Sequence, residues 1–295
     1  MAEPARAVEN FSPELRLLLA LIRSALGTEA TPRAPTEPIN WTTFCATLER
    51  HRVGAFLHRR AGRQMERACP DFVLQRTRKI AAGVAHRTLS QAAEQIQLMR
   101  CLEAAGVEVK AVKGFVLGQR LYGNLGTRHV GDIDLLIRPT DVARADAALR
   151  ATGLDRFRPD IPLTPLRLKK FVQLKPEFEY RRGSAPLRVE LLWRLEGLPE
   201  HAAPWSDAVT CTIGGCVMRT LPPELDALYL LQHGARHGWF RLFWLVDAAL
   251  LLRDQSIDWS AVMARAAPPS GASVVASRRT RRGTVRHAPR RRPAA

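Results

Sequence analysis

The sequence predicts an α+β fold: a small mixed β-sheet core flanked by N-terminal and C-terminal helical layers. Three observations carry this. Apolar residues recur at helical spacing from 12 to 105, the period shortens to that of strands from Val107 to Trp193, and helical spacing returns from 222 to 265. The divisions expected are 1–105 (helical), 106–220 (α/β core), 221–265 (helical) and 266–295 (an Arg-rich, disordered tail).

In order, Leu15, Leu18, Leu19, Ile22 and Leu26 form one stripe that ends at Gly27, and Pro32, Pro35 and Pro38 punctuate a linker. One helix is expected over 41–57. A long helix is expected from Phe72 to Ala105, a stretch free of proline and stopped by Gly106. VEVKAV from Val107 reads as a strand and GFVLGQRLYG as a short helix. GDIDLLIRP is the strongest strand signal, with Ile133, Leu135 and Ile137 on one face and Asp132, Asp134 and Leu136 on the other. Thr140-Asp141 is expected to cap the helix VARADAALRATG, which Gly153 ends. Strands follow at 178–182 and 187–193. TCTIGGCVMRTL reads as a hairpin, and Pro222-Pro223 with Glu224 as a helix start.

The formal charge is +17, from 45 Lys and Arg against 28 Asp and Glu. A nucleic-acid binder is the first suggestion of such a surplus. Its distribution weakens that reading, because eight arginines between 278 and 292, with no acid in 266–295, leave only +9 on the first 265 residues. Hydrophobic residues make up 46%, which excludes wholesale disorder. No apolar run approaches the roughly 18 residues of a membrane span, and Glu3, Glu9, Glu14 and Arg23 around LLLALI are wrong for a signal peptide. Five scattered cysteines without CxxC spacing point to a reducing compartment, so a cytoplasmic protein is expected. Cys211 and Cys216, flanking Gly214-Gly215, are the one pair for which a disulfide is conceivable.

GDIDLL at 131–136 is the most informative fragment. Two carboxylates at i and i+2 of a strand share a face and repel, and Mg²⁺ held with substrate phosphates relieves the repulsion. Gly131 lets a ligand or loop approach the backbone. Upstream, Lys113-Gly114 at a strand-to-helix junction suits a phosphate, and Arg128 can pair with phosphate bidentately. Downstream, Glu190 in an apolar strand is either a third functional carboxylate or an acid paired with an arginine or solvated at an edge. His233 and His237 share a helix face, but with no third ligand suggested nearby they read as core packing rather than zinc. Trp239, Phe240, Phe243, Trp244 and Leu245 read as core contacts of the same region, and Asp247 as a buried partner for an Arg or His.

VKG (112–114), Tyr122, Arg128, GDIDLL, AALRATG (147–153), VELLW (189–193) and LPPELDALYLLQHGARHGWFRLFWLVDAALLL (221–252) together resemble the uncharacterised nucleotidyltransferase family of the DNA polymerase β-like superfamily, over roughly 10–265. The resemblance implies a nucleotidyltransferase core at 106–220 and two Mg²⁺ ions held by Asp132, Asp134 and Glu190. These three residues would be catalytic, with Lys113, Gly114, Arg128 and Gly131 at the nucleotide. It implies transfer of a nucleoside monophosphate from an NTP, ATP being the expected donor, to a hydroxyl of an unspecified acceptor. Many superfamily members have Gly-Ser where this chain has Lys113-Gly114, with a shorter spacing to the first Asp. The family usually has a histidine two residues after the third carboxylate, where this chain has Leu192, so an altered activity is expected. Two alternatives stay open: a catalytically silent partner module, and a protein that binds nucleic acid through its basic tail. The abrupt change of composition after 265 also fits a C-terminus altered by a change of reading frame.

Overall fold

The computed structural model describes residues 10–28, 35–183, 187–199, 204–205 and 209–266. The expectation of a disordered tail therefore lies almost wholly outside the described residues. Helix α1 (Pro13–Ala25) begins where Ser12 accepts from the Leu15 N–H. Its buried face is Glu14, Leu17, Leu18, Leu21, Ile22 and Ser24, offset from the expected stripe. The LLLALI run is apolar nearly all round, so its periodicity does not fix the inward face. Glu14 is buried because its carboxylate accepts the Asn40 N–H at 2.9 Å.

The helix expected over 41–57 is two, α2 (Trp41–Arg50) and α3 (Gly54–Arg60). Arg52 adopts φ +58° and breaks the run. Gly54 restarts it at a point where a Cβ would lie 2.7 Å from Leu48. After α4 (Gly62–Ala68) comes α5 (Asp71–Ala104), which spans 34 residues and ends before Gly106 at φ +72°.

The core proceeds through β1 (Val109–Val112), α6 (Gly114–Tyr122), β2 (Ile133–Ile137), α7 (Val142–Ala151), β3 (Asp155–Arg158), α8 (Pro165–Leu174), β4 (Glu177–Arg181), β5 (Arg188–Leu192), β6 (Val209–Ile213) and β7 (Cys216–Thr220). Asp141 stands at the start of α7, but its side chain accepts no backbone N–H there; its carboxylate accepts from Arg144 instead. The sheet order is β3-β4-β5-β2-β1-β7-β6. Pairs β2/β5 and β1/β7 are parallel and the others antiparallel, so the sheet is mixed. In the β6–β7 hairpin Cys211 lies opposite Met218 and Cys216 opposite Ile213, and both thiols are free.

Helices α9 (Pro223–Arg236), α10 (Leu242–Leu251) and α11 (Trp259–Ala266) complete the fold. One sheet face, bearing Ile133, Leu135, Ile137, Val189 and Leu191, packs on Leu98, Met99 and Leu102 of α5 and on Val142, Ala145 and Leu149 of α7. The other bears Val112, Leu136 and Leu192 and is partly covered by Leu225 and Tyr229 of α9. The N-terminal and C-terminal helices share one core, in which Leu48, Phe56 and Met65 meet Leu228, Phe243, Trp244 and Val262. No described helix is long and apolar enough to cross a membrane.

Candidate active site

Alternation along β2 sends Asp134 to the face that α9 only partly covers. Sheet register then sets Val112, Asp134, Glu190 and Glu179 side by side across β1, β2, β5 and β4. Asp132, just before β2, and Glu177, two residues before Glu179, line the same cavity of about 540 Å³. Lys113, Gly114, Arg128, Gly131, Asp132, Asp134 and Glu190, the residues singled out from sequence, all border this one cavity.

The Lys113 ammonium lies 2.7 Å from Asp134 Oδ1, and both side chains are buried. Lys113 has φ +53° and Gly114 φ +28°, a sharp turn that sends α6 away from β1 and aims the lysine back over the sheet. Burial pushes the ammonium pKa down, but Asp134, Tyr229, Glu190 and Asp132 outweigh it, so Lys113 stays charged. Burial raises the Asp134 carboxyl against the pull of Lys113. Glu190 is pushed up to about 9 by burial and by the neighbouring Asp134 and Asp132.

These acids fit a divalent cation in kind: all are hard carboxylate oxygens, and Asp134 Oδ1 is buried without a well-angled hydrogen bond. Among the described residues, no three His, Cys, Asp or Glu side chains converge closely enough to hold an ion. A cation would therefore have to draw Asp132, Asp134 and Glu190 together.

Arg128, expected on a phosphate, is committed elsewhere. Its Nε and one terminal nitrogen donate to Asp247 at 2.8–3.1 Å, and the other terminal nitrogen donates to the Gly114 carbonyl at 3.4 Å. Tyr122 donates its hydroxyl to Asp247 at 2.5 Å. Asp247 is fully buried, so only a paired guanidinium makes its charge tolerable there. Arg128 thus positions the Lys113-Gly114 turn.

His233 on α9 and His237 just after it face the cavity within an aromatic cluster. Their rings are 4.6 Å apart, and His237 stacks on Trp244 at 5.2 Å. Burial and then Lys113 lower the His233 pKa to about 3, which keeps it neutral. Gly234 is required because a Cβ there would lie 2.4 Å from the Trp239 ring. Leu192, beside Glu190, is buried with Leu136, Leu225 and Tyr229. The residues that sequence reading missed include Arg52, His129, Glu177, Glu179, Tyr229 and Arg241. Of these, Glu177 and Glu179 had a signal: EFEYR alternates, putting both acids on one face, although the strand expected over 178–182 left Glu177 out.

A mixed sheet with acids gathered on a half-covered face makes this an α+β protein with a charged cleft. The sequence model described as uncharacterised nucleotidyltransferase matches residues 37–274, and the chain belongs to that family. No curated protein matches the sequence. Among solved structures, the antibiotic-resistance factor ANT(2″)-Ia in solution aligns with 12% identity over 61% of this chain and 90% of its own, at a TM-score of 0.46. ANT(2″)-Ia in complex with adenylyl-2″-tobramycin aligns with 14% identity over 60% and 95%, at a TM-score of 0.44.

Proposed function

We propose that the chain moves a nucleoside monophosphate from an NTP, with ATP the expected donor, to a hydroxyl of an acceptor and releases pyrophosphate. The observation that carries this is the Asp134–Glu190 register across parallel strands, with Asp132 and Lys113 at the same cavity. Asp132, Asp134 and Glu190 are the residues that would hold Mg²⁺, as one ion or two. Bound there, the metal supplies positive charge that lowers the pKa of the attacking hydroxyl and offsets charge on the departing pyrophosphate.

The chain's own groups divide the remaining work. Lys113, whose ammonium faces Asp134 at the mouth of the same acids, would offset charge on the donor's phosphates. Gly114 opens the first turn of α6 to a phosphate oxygen, and Gly131 keeps the approach to Asp132 free of a side chain. Arg128 holds the turn through the Gly114 carbonyl. Leu192, where the resemblance expects a histidine, adds no polar group beside Glu190, so substrate is positioned by other groups.

The test is transfer of label from each α-labelled NTP in the presence of Mg²⁺ and cell extract, native against Asp134→Asn. Label must appear on an acceptor with the native chain and vanish with the folded variant; equal labelling by both sinks the proposal. A second reading, a silent partner module, is favoured by the Lys113–Asp134 contact that occupies a would-be ligand. Calorimetry with Mg²⁺ and ATP separates the two, since a silent module with a lysine-filled site takes up neither.

A further inference from the structure

We propose that Arg52 and Arg241 form a phosphate-binding subsite in this cavity, presented by the α2–α3 and α9–α10 corners. The inference extends the nucleotidyl-transfer reading to residues outside the sheet core.

Six arginines border the cavity. Four are committed to carboxylates: Arg128 to Asp247, Arg158 and Arg188 to Glu179, and Arg236 to Glu196. Arg52 and Arg241 have no ion-pair partner among the described residues, although both are half-buried. Asp132 is the carboxylate that acts favourably on Arg52, while Arg241 acts against it. Two like charges facing one cavity without a partner repel, and an oxyanion between them removes that cost.

The pair is also built rather than incidental. The Leu242 N–H donates to His51 Nδ1 at 3.2 Å, the Phe243 N–H to the His51 carbonyl at 3.3 Å, and Arg241 to the Arg50 carbonyl at 3.0 Å. These three bonds fasten one corner to the other. Aromatic rings support both guanidinium groups, Phe243 under Arg52 at 5.9 Å and Phe240 under Arg241 at 5.0 Å. Arg52 adopts φ +58°, a conformation that favours glycine, so an arginine is kept there at a cost to the backbone. Its guanidinium lies beside Gly131, where an added Cβ would be 3.8 Å away, and so next to the Asp132 end of the acid row. Nearby His129 adds no charge, since burial and the surrounding arginines lower its pKa to about 3.

The phosphate has two possible sources, the donor's triphosphate tail or a phosphate on the acceptor. The test is labelling of the full chain with an arginine-specific dicarbonyl reagent, quantified residue by residue by mass spectrometry, with and without inorganic tripolyphosphate. Site-by-site readout keeps the Arg-rich tail from masking the result. Arg52 and Arg241 are expected to be protected at least about fivefold while Arg236, paired with Glu196, is unchanged. Arg52→Gly, which suits the backbone at φ +58°, is expected to fold normally and to abolish protection at Arg241. Equal labelling of both arginines with and without tripolyphosphate, or full protection of Arg241 in Arg52→Gly, overturns the subsite. Protection by metal-free ATP, but not by a nucleoside, assigns the subsite to the donor tail; protection by tripolyphosphate alone assigns it to the acceptor. Protection in a chain that transfers no nucleotide would leave the subsite standing and remove the transfer reading.

Discussion

Replacing Asp247 by leucine should be among the most damaging single changes in this fold. Asp247 is fully buried and Arg128 is 7% exposed, so the substitution leaves a buried guanidinium without a counter-charge. Breaking such a pair costs about 3–5 kcal/mol. That is about a fifth or more of the stability of a typical domain, about 5–15 kcal/mol. At about 2–4 °C per kcal/mol for a chain of this size, the melting midpoint should fall by about 6–20 °C. Removing both charges together, Arg128→Met with Asp247→Leu, should recover most of the loss, because the penalty lies in the unpaired charge more than in the missing bond. The double variant should nonetheless bind nucleotide less well, since the Gly114 carbonyl loses the donor that fixes its turn. Urea denaturation of native, single and double variants measures the stabilities, and a nucleotide titration of the folded double variant measures the second effect. A single variant within about 1 kcal/mol of native would refute the reasoning.

Acidification should destabilise the protein through His129 and His233. Both are held neutral, with pKa values lowered to about 3 chiefly by burial, while the unfolded chain protonates near 6.5. Their contribution is complete above pH 6.5 and is lost as pH falls from there toward 3, so melting midpoints should drop across that window and His233→Gln should flatten the drop. Gly234→Ala should cost about 1–3 kcal/mol or more, because its Cβ would meet the Trp239 ring at 2.4–2.7 Å and Trp239 sits at a constrained φ of +51°. Chemical denaturation checks this, and a native-like midpoint would mean the ring can move aside.

The sheet core was readable because its signals are local. The alternation of GDIDLLI fixes which residues face Asp134, and a long proline-free run fixes α5. Helix α8 had no expectation at all, although Thr164 and Pro165 form a helix start in which Thr164 accepts the Arg167 N–H. The break at 51–53 escaped because nothing in His51-Arg52-Val53 disfavours helix strongly, and the kink is maintained by bonds from residues about 190 positions away. The same distance in sequence hid the Arg128–Asp247 pair. Each was recognisable alone, an arginine suited to an oxyanion and an acid in need of a buried partner, and only the fold joins them across 119 positions.

The strands bring the acids together with Arg158 and Arg188, and the helices and their corners add a second set of arginines. The acids Asp132, Asp134, Glu177, Glu179 and Glu190 belong to the sheet, while Arg52, Arg236 and Arg241 come from the helices and their corners. Such opposite charges could have neutralised one another, and Arg158, Arg188 and Glu179 do so at the rim. At the centre they do so less: Arg188 comes no nearer than 3.7 Å to Glu190, and Arg52 and Arg241 have no ion-pair partner among the described residues. A lone cation would satisfy the acids and worsen the repulsion at the arginines. A lone anion would do the reverse. A divalent metal carrying a polyphosphate, as the proposed transfer requires, would satisfy both halves at once, and on that proposal the basic surplus outside the tail matters more for where its arginines stand than for its size.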